Sequence, residues 1–417
     1  MYYQVTSIGM YHGTFTSPYS GPLSLQAYPE RDVSLTTTLF FGLNLGDSTP
    51  LYFNPEIAGG RGFSSVDGMA NAANGELPRV AAATPKPYVA RMFLTHDFGF
   101  GAPFETVESD ATALGGTRPM NRYTVTVGRF TVTDYFDNNR YSHDPREQFM
   151  GWAVMYNGAW DYPADVRGYT WGWVHEYHAR NWSLRYASAM EPKVANGSQF
   201  DRRVLRDRGD MFEGEYRWEV AKHGGAIRIL SSQQHTDSGN YAEALALAAK
   251  DGGTPSVIAT RKPGTTKFGY GLSADQELTK DIGVFGRLGW NNGKTESFAF
   301  TAVDHLATGG VSVTGTRWKR PHDTVATEVT ICGLSAVHAE YLAAGGLDFL
   351  IGDGALRYGP ETVWESYYNA RLFPGFFTSL DYQYAVNPAY NRDRGPVNIF
   401  ALRLHLELSK DTFLHKP

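Results

Sequence analysis

The feature that most constrains this chain is an alternation of apolar and polar residues with a period of two. In Val397–Leu408, leucines and a phenylalanine occupy every second position, while Arg403, His405 and Glu407 fall between them. Residues 33–43 repeat the pattern. Because successive side chains of a strand point to opposite faces, each such segment has one apolar and one polar face. The chain is therefore predicted to be all-β.

The aromatic content of the apolar face favours a membrane barrel over a soluble sandwich. A soluble β-sandwich also alternates, but its apolar faces meet in a shared aliphatic core. Here Tyr, Trp and Phe make up 14% of the chain and often stand near segment ends, where membrane barrels carry aromatic girdles. The segments are about ten residues long, which suits a tilted transmembrane strand.

Roughly sixteen alternating segments are present, an even number as bacterial barrels require, and enough to leave an aqueous channel. They are predicted at residues 2–12, 32–45, 49–57, 88–98, 121–132, 169–179, 182–190, 214–222, 225–234, 267–278, 282–290, 296–304, 310–319, 361–372, 376–386 and 397–408. Phe149–Tyr156 or Val325–Ile331 could add to this set or replace one of its members. Alanine-rich Tyr241–Lys250 and Ser335–Ala344 are predicted as short helices. We predict that residues 1–417 form one antiparallel, up-and-down transmembrane β-barrel domain with inward-folded loops.

Charge and composition exclude several other classes of protein. The net charge of −5 argues against a nucleic-acid-binding protein, and the single cysteine, Cys332, excludes an intramolecular disulfide. The mean hydropathy is −0.35, and no run of about 18 apolar residues suggests a membrane helix. No secretory signal follows Met1, so a place in the outer membrane requires that a signal peptide was removed before this numbering begins.

Six blocks spread over the chain carry a family resemblance. They are Ser17–Gly21, Leu51–Glu56, Val127–Phe149, Asn157–Gly172, Tyr341–Gly354 and Asn387–Pro396. Together they resemble the carbohydrate-selective porin OprB family. The resemblance implies a 16-stranded barrel of the bacterial outer membrane that lets glucose and related sugars diffuse passively, with no enzymatic activity and no cofactor. One departure is Ser409–Pro417, which continues past the last strand where such barrels commonly end on an aromatic residue.

A sugar-selective constriction needs polar groups for hydroxyls and aromatic rings for the C–H faces of the sugar. Two long loops, residues 57–87 and 136–166, contain both and are predicted to form the constriction with charged residues of the wall. The candidate sugar-binding residues are Glu56, Arg61, Asn74, Glu76, Arg91, Asp137, Asn139, Arg140, Trp152, Trp160, Arg185 and Arg217. For any single wall charge the alternative is a structural role, as a partner of a neighbouring strand or as a solvated group.

No metal site is predicted, because Asp137–Asn139 lacks the spacing and closing glutamate of a calcium loop. The expected partners are monosaccharides such as glucose, outer-membrane lipid and lipopolysaccharide, and a homo-oligomer is left open. Two other functions are considered. One is an occluded barrel that docks partner proteins. The other is a carbohydrate-active enzyme whose Glu215 and Glu219, about 7 Å apart along a strand, would act as an inverting pair.

Overall fold

The computed structural model describes residues 1–77, 83–109 and 113–409, and its dominant element is a closed barrel of sixteen antiparallel strands. The barrel strands are β1 (Tyr2–His12), β2 (Glu30–Asn44), β3 (Pro50–Gly60), β4 (Lys86–Gly99), β7 (Arg122–Phe130), β8 (Thr170–His178), β9 (Trp182–Met190), β10 (Arg208–Val220), β11 (His223–Thr236), β12 (Thr265–Thr279), β13 (Ile282–Asn291), β14 (His305–Gly315), β15 (Arg320–Gly333), β16 (Glu361–Phe373), β17 (Phe376–Val386) and β18 (Val397–Leu408). A small hairpin of β5 (Phe104–Val107) and β6 (Gly116–Pro119) stands in the β4–β7 connection. Pairing of β1 with β18 closes the barrel.

The alternation places apolar side chains on the outside and polar ones inside, as the sequence predicts. In β18, Phe400, Leu402 and Leu404 are exposed on the outer face, whereas Arg403 and His405 are buried in the lumen. An apolar exterior with a polar interior is the arrangement of a transmembrane barrel, whose outer face contacts hydrocarbon. No helix in the three described ranges is long and apolar enough to cross a membrane.

Most predicted segments coincide with strands, but one is wrong and one strand was missed. Residues 296–304 lie in the loop between β13 and β14, where Asp161 accepts hydrogen bonds from the backbone N–H groups of Phe298 and Phe300. The barrel strand that the prediction lacks is β15. Only its part Val325–Ile331 was considered, as an addition to the predicted segments or a replacement for one of them. The predicted helices are confirmed as α2 (Tyr241–Asp251) and α3 (Ala336–Ala343), while α1 (Trp152–Met155) is a single turn.

Connections at one end of the barrel are much shorter than those at the other, except for residues 100–121 between β4 and β7, which contain the β5–β6 hairpin. Turns of a few residues, such as 221–222, 280–281 and 374–375, join strands at the first end, where both termini of the barrel also lie. Loops of 10 to nearly 40 residues join strands at the second. Outer-membrane barrels keep short turns in the periplasm and long loops outside, which orients the molecule.

The longest connection, residues 131–169 between β7 and β8, folds into the barrel and is called the inward loop here. Two fully buried arginines of the wall hold its backbone. Arg287 of β13 donates from Nη1 to the carbonyl of Val154 at 2.8 Å and pairs with the carboxylate of Asp137 at 3.0 Å. Arg403 of β18 donates to the carbonyls of Pro145, Glu147 and Gln148 at 2.6–3.0 Å.

Buried glutamates of the wall hold loop N–H groups in the same way. Glu365 of β16 accepts hydrogen bonds from Met150 and Gly151, and Glu213 of β10 accepts one from Asp137. Hydrogen bonds to charged groups contribute about 1.5–3 kcal/mol each. The strands β10–β18, called the anchor wall, are therefore covered by the inward loop over much of their inner face.

Apolar packing completes this attachment. Phe149 of the inward loop is buried between Phe285 of β13 and Tyr367 of β16, with ring centroids 5.6 and 5.0 Å away. Burying a phenylalanine contributes about 1.5–3 kcal/mol. Because the loop fills the lumen on this side, the open space remains on the other side, along β1–β4.

Candidate functional site

A cavity of about 530 Å³ runs through the barrel between β1–β4 and the inward loop, and is called the lumen cavity. Tyr2 and Glu407 line it near the short-turn end, and Arg167 and Phe300 line it near the long-loop end. Its middle is lined by wall residues from β3 and β4 and by residues of the inward loop. The lumen cavity thus has the course of a permeation path.

Two arginines in the middle of the lumen cavity are held by carboxylates. Arg91 of β4 donates from Nε and Nη2 to the two carboxylate oxygens of Asp134, at 2.7 and 2.6 Å. Arg146 of the inward loop donates from Nε to Glu76 Oε1 at 2.8 Å and from Nη2 to Glu56 Oε2 at 3.1 Å. Because each guanidinium has five N–H donors in a rigid plane, both arginines keep donors for a solute.

The carboxylate of Glu76 titrates in this site near neutral pH. Burial of the side chain raises the pKa of Glu76 to about 7, although the neighbouring Arg146 opposes the shift. The charge of the site therefore depends on pH in the physiological range.

Aromatic rings lie beside these charges in the lining of the lumen cavity. The hydroxyls of Tyr88 and Tyr169 both donate to Glu56, and the guanidinium of Arg167 lies 4.0 Å from the centroid of the Tyr88 ring. On the loop side, Trp152 stacks on Phe300 at a centroid distance of 5.7 Å. Rings and hydrogen-bonding groups in the lining of one cavity are what a sugar with polar edges and apolar faces requires.

A bulge in β4 brings two of these residues to the same face. Asn54 pairs with Arg91 but the next residue, Pro55, pairs with Val89, so Ala90 is an extra residue in β4. The bulge changes the parity of the strand. As a result Tyr88 and Arg91, which lie three positions apart, both reach the lumen cavity.

Four of the twelve predicted sugar-binding residues line the lumen cavity: Glu56, Glu76, Arg91 and Trp152. Asn74 and Trp160 are buried behind it, and the indole N–H of Trp152 donates to the Asn74 carbonyl at 2.8 Å. Arg61 is exposed just after β3, outside the cavity lining.

The other five lie against the anchor wall. Asp137 contacts Arg287, Asn139 donates to Ser273 Oγ at 3.1 Å, and Arg140 lies 3.4 Å from Glu277. Arg185 and Arg217 both contact Glu215. Sugar binding by these residues stays a prediction, and the structure gives each of them a partner in the protein.

The same network bears on the alternative of an enzyme. Glu215 contacts three arginines of the wall, Arg185, Arg217 and Arg228. Glu219 is exposed near the short-turn end of β10, outside the lining of the lumen cavity. Neither glutamate is among the residues that line the lumen cavity.

Sequence reasoning did not select Arg146, Asp134, Tyr88 or Tyr169 as site residues. Tyr88 was hidden by the bulge, because strict alternation places it on the face opposite Arg91. Arg146 and Asp134 lie in the inward loop, where no periodic pattern of residues shows which side chains face the cavity. The signal in the sequence that could have pointed to these residues was the mixture of charged and aromatic residues in this loop.

Over residues 42–408 the sequence matches a family described as "Carbohydrate-selective porin, OprB family". The chain is similar to the high-pH structure of Pseudomonas putida OprB, with a TM-score of 0.73 and 14% identity over 98% of this chain and 94% of that one. Its likeness to the low-pH structure of the same porin has a TM-score of 0.50 and 10% identity, over 98% and 92% of the two chains. No curated protein matches it. At these identities the structural likeness establishes the fold.

Proposed function

Because this chain belongs to the carbohydrate-selective porin OprB family and forms a passive sugar channel in the outer membrane, we propose that its solutes are glucose and related monosaccharides, which cross through the lumen cavity. The observation that carries the proposal is that Arg91, Arg146 and several aromatic rings line one cavity. The chain acts as a channel and not as an enzyme.

The size and chemistry of the lumen cavity support a monosaccharide as the solute. A volume of about 530 Å³ is large enough for one hydrated hexose. Arg146 offers donors to adjacent hydroxyls, while Trp152 and Phe300 offer flat apolar surfaces to the sugar ring. Each arginine is already neutralised by carboxylates, so the site favours a neutral solute over an anion. Contacts of this kind are individually weak, which allows release.

Glucose block of ionic current tests this proposal. Detergent-purified protein in a planar bilayer should give single-channel current steps. Added glucose should reduce these steps progressively, and by more than a non-sugar of similar size does. Arg146→Ala should raise the half-blocking glucose concentration by about tenfold, the effect of losing one or two hydrogen bonds to a charged group. Arg357→Ala, which removes an exposed arginine of a long loop, is the matched control and should leave block unchanged.

Two outcomes would contradict the proposal. Current steps that glucose does not affect would show that the protein is a channel but would contradict the proposed sugar site. An absence of steps from folded protein would favour the occluded barrel.

We further propose that any homo-oligomer is an assembly of complete channels, because one chain closes the barrel by pairing β1 with β18 and so encloses the lumen cavity by itself. Lipopolysaccharide is proposed as the neighbour of the long-loop rim. Support comes from the fully exposed Leu205 beside Arg202 and Arg206, which offers an apolar chain and cationic groups to an anionic lipid.

A further inference from the structure

Three potential metal ligands meet at the short-turn end of the lumen cavity. His405 and Glu407 project inward from β18, and Glu147 reaches them from the inward loop. One ligand atom from each of the three lies within 4.8 Å of the others. Glu407 N donates to the carbonyl of Gly375 in the 374–375 turn, which places the group at the periplasmic exit.

The imidazole of His405 is oriented toward Glu147. Its Nδ1 lies 2.8 Å from Thr6 Oγ1, which fixes the ring, and its Nε2 lies 3.4 Å from Gln4 Nε2 and 3.6 Å from Glu147 Oε1. The latter separation is too long for a hydrogen bond. It is close to the roughly 3.4 Å expected between two ligands of one tetrahedral Zn²⁺, given metal–ligand bonds of about 2.0–2.2 Å.

The two glutamates, like Asp144, lack the arginine partner that the other carboxylates of the lumen cavity have. Glu56, Glu76 and Asp134 each contact an arginine. Within residues 1–77, 83–109 and 113–409, no lysine or arginine lies within ion-pair distance of the carboxylate of Glu147 or Glu407. Arg403, the nearest cation along β18, is bound to backbone carbonyls of the inward loop.

Accessibility and orientation of the ligands complete the argument. The side chain of Glu147 is 47% exposed, so an ion in the lumen reaches it, while His405 is buried in the wall. The hydroxyl of Tyr2 donates to Glu407 and orients that carboxylate, as outer partners of metal ligands commonly do. An imidazole nitrogen with two carboxylates suits Zn²⁺ and related first-row divalent ions, whereas Ca²⁺ and Mg²⁺ prefer oxygen ligands alone.

We propose that Glu147, His405 and Glu407 form a binding site for a first-row divalent cation such as Zn²⁺ at the periplasmic exit of the channel. A cation there occupies the permeation path, and therefore reduces the current and the flux of sugar. The site ties the inward loop to β18 when it is filled.

Equilibrium dialysis of the full chain with ZnCl₂, in detergent and without a polyhistidine tag, tests binding directly. We expect one Zn²⁺ per chain. His405→Ala and Glu147→Gln should each weaken binding by more than about tenfold, the minimum for loss of a ligand. His322→Ala removes an exposed histidine near the same end of the barrel and should not change binding. Binding that persists in both ligand variants, or no stoichiometric binding, would overturn the proposal.

Current recordings in a planar bilayer then locate the bound ion. Zn²⁺ added on the short-turn side should block the open steps of the wild type, and the half-blocking concentration should rise more than about tenfold in His405→Ala. Zn²⁺ that binds without reducing the current would overturn the claim that the site lies in the permeation path. Because dialysis does not depend on an open pore, failure of the sugar-channel proposal is distinguished from failure of the metal site.

Discussion

Four arginines inside the barrel, from the wall and from the inward loop, form two groups according to what they bind. Arg287 and Arg403 donate to backbone carbonyls of the inward loop, whereas Arg91 and Arg146 pair with carboxylates at the lumen cavity. Parity along a strand predicts that a residue faces inward, and it did so for Arg91. It does not predict which group that residue meets, because the partner is placed by the fold of a loop far away in sequence.

The first prediction concerns Glu76 and the ionic selectivity of the channel. Since its pKa is raised to about 7, Glu76 becomes neutral on acidification and Arg146 retains only Glu56 as a carboxylate partner. The ratio of cation to anion permeability should fall as the pH is lowered from about 8 to about 6. Reversal potentials in a KCl gradient measure this ratio. Glu76→Gln should remove most of the response, and an unchanged response in that variant would contradict the assignment.

A second prediction concerns His338 of α3, which is buried between two carboxylates. Its Nδ1 lies 2.9 Å from Asp304 and its Nε2 lies 2.8 Å from Asp348. Although burial disfavours the charged ring, the two aspartates raise the pKa of His338 from 6.5 to about 9. A raised histidine pKa stabilises the folded state at low pH, so up to about 3 kcal/mol is lost as the pH rises from 6.5 to about 9.

Limited proteolysis of the long loops across this range measures the effect. Cleavage of the segments around α3 should accelerate above pH 8 or so, by up to about a hundredfold if the full energy is lost. His338→Gln, which cannot be charged, should be cleaved faster at neutral pH and should show little pH dependence. A wild type whose cleavage rate is flat across the range would contradict the prediction.

At the scale of elements, strands were predictable wherever apolar and polar residues contrast strongly. β15 was missed because threonine and alanine occupy much of Thr324–Ile331 and weaken that contrast. Residues 296–304 were wrongly predicted as a strand, since Phe298 and Phe300 alternate with small residues but pack inside the lumen. The bulge at Ala90 has no signature in hydrophobicity, because it depends on pairing with β3. The bulge hid Tyr88 from the sequence analysis, and Asp134, Arg146 and Tyr169 were missed because they lie in the inward loop, where strand periodicity does not apply.

The attachment of the inward loop predicts a gain in conductance. Arg287→Ala removes the cation that holds Asp137 and the Val154 carbonyl, and leaves a buried charge without its partner. Breaking a buried ion pair costs about 3–5 kcal/mol. We expect larger and noisier single-channel steps, with weaker block by glucose. Arg357→Ala serves again as the control, and steps of normal size and noise in Arg287→Ala would show that the loop is held by other contacts.

At the scale of the whole molecule, the barrel is asymmetric both along its axis and across it. Along the axis, long loops occupy one end and short turns the other. Across it, the anchor wall is covered by the inward loop, and the permeation path follows β1–β4. The chain therefore uses a 16-stranded barrel, wide enough for a large aqueous channel, to build a narrow one.

Orientation in the membrane gives the last prediction. A cysteine in place of Lys250, exposed in α2 of a long loop, should react on intact cells with a maleimide too bulky to pass a porin. A cysteine in place of Lys280, exposed in a short turn, should react only after the outer membrane is opened. The native Cys332 is fully buried and should stay unlabelled in both conditions. Labelling of the Lys280 position on intact cells would reverse the orientation.

The backbone contacts of the anchor wall have a consequence for how such channels diversify. Carbonyl and N–H groups are present in every residue except for the missing N–H of proline, so the wall holds the inward loop largely without regard to its side chains. Substitutions at positions facing the solute therefore need not displace the loop. The scaffold can be inherited unchanged while the rings and charges beside the path are exchanged, and a protein engineer could retarget the channel to another cargo in the same way.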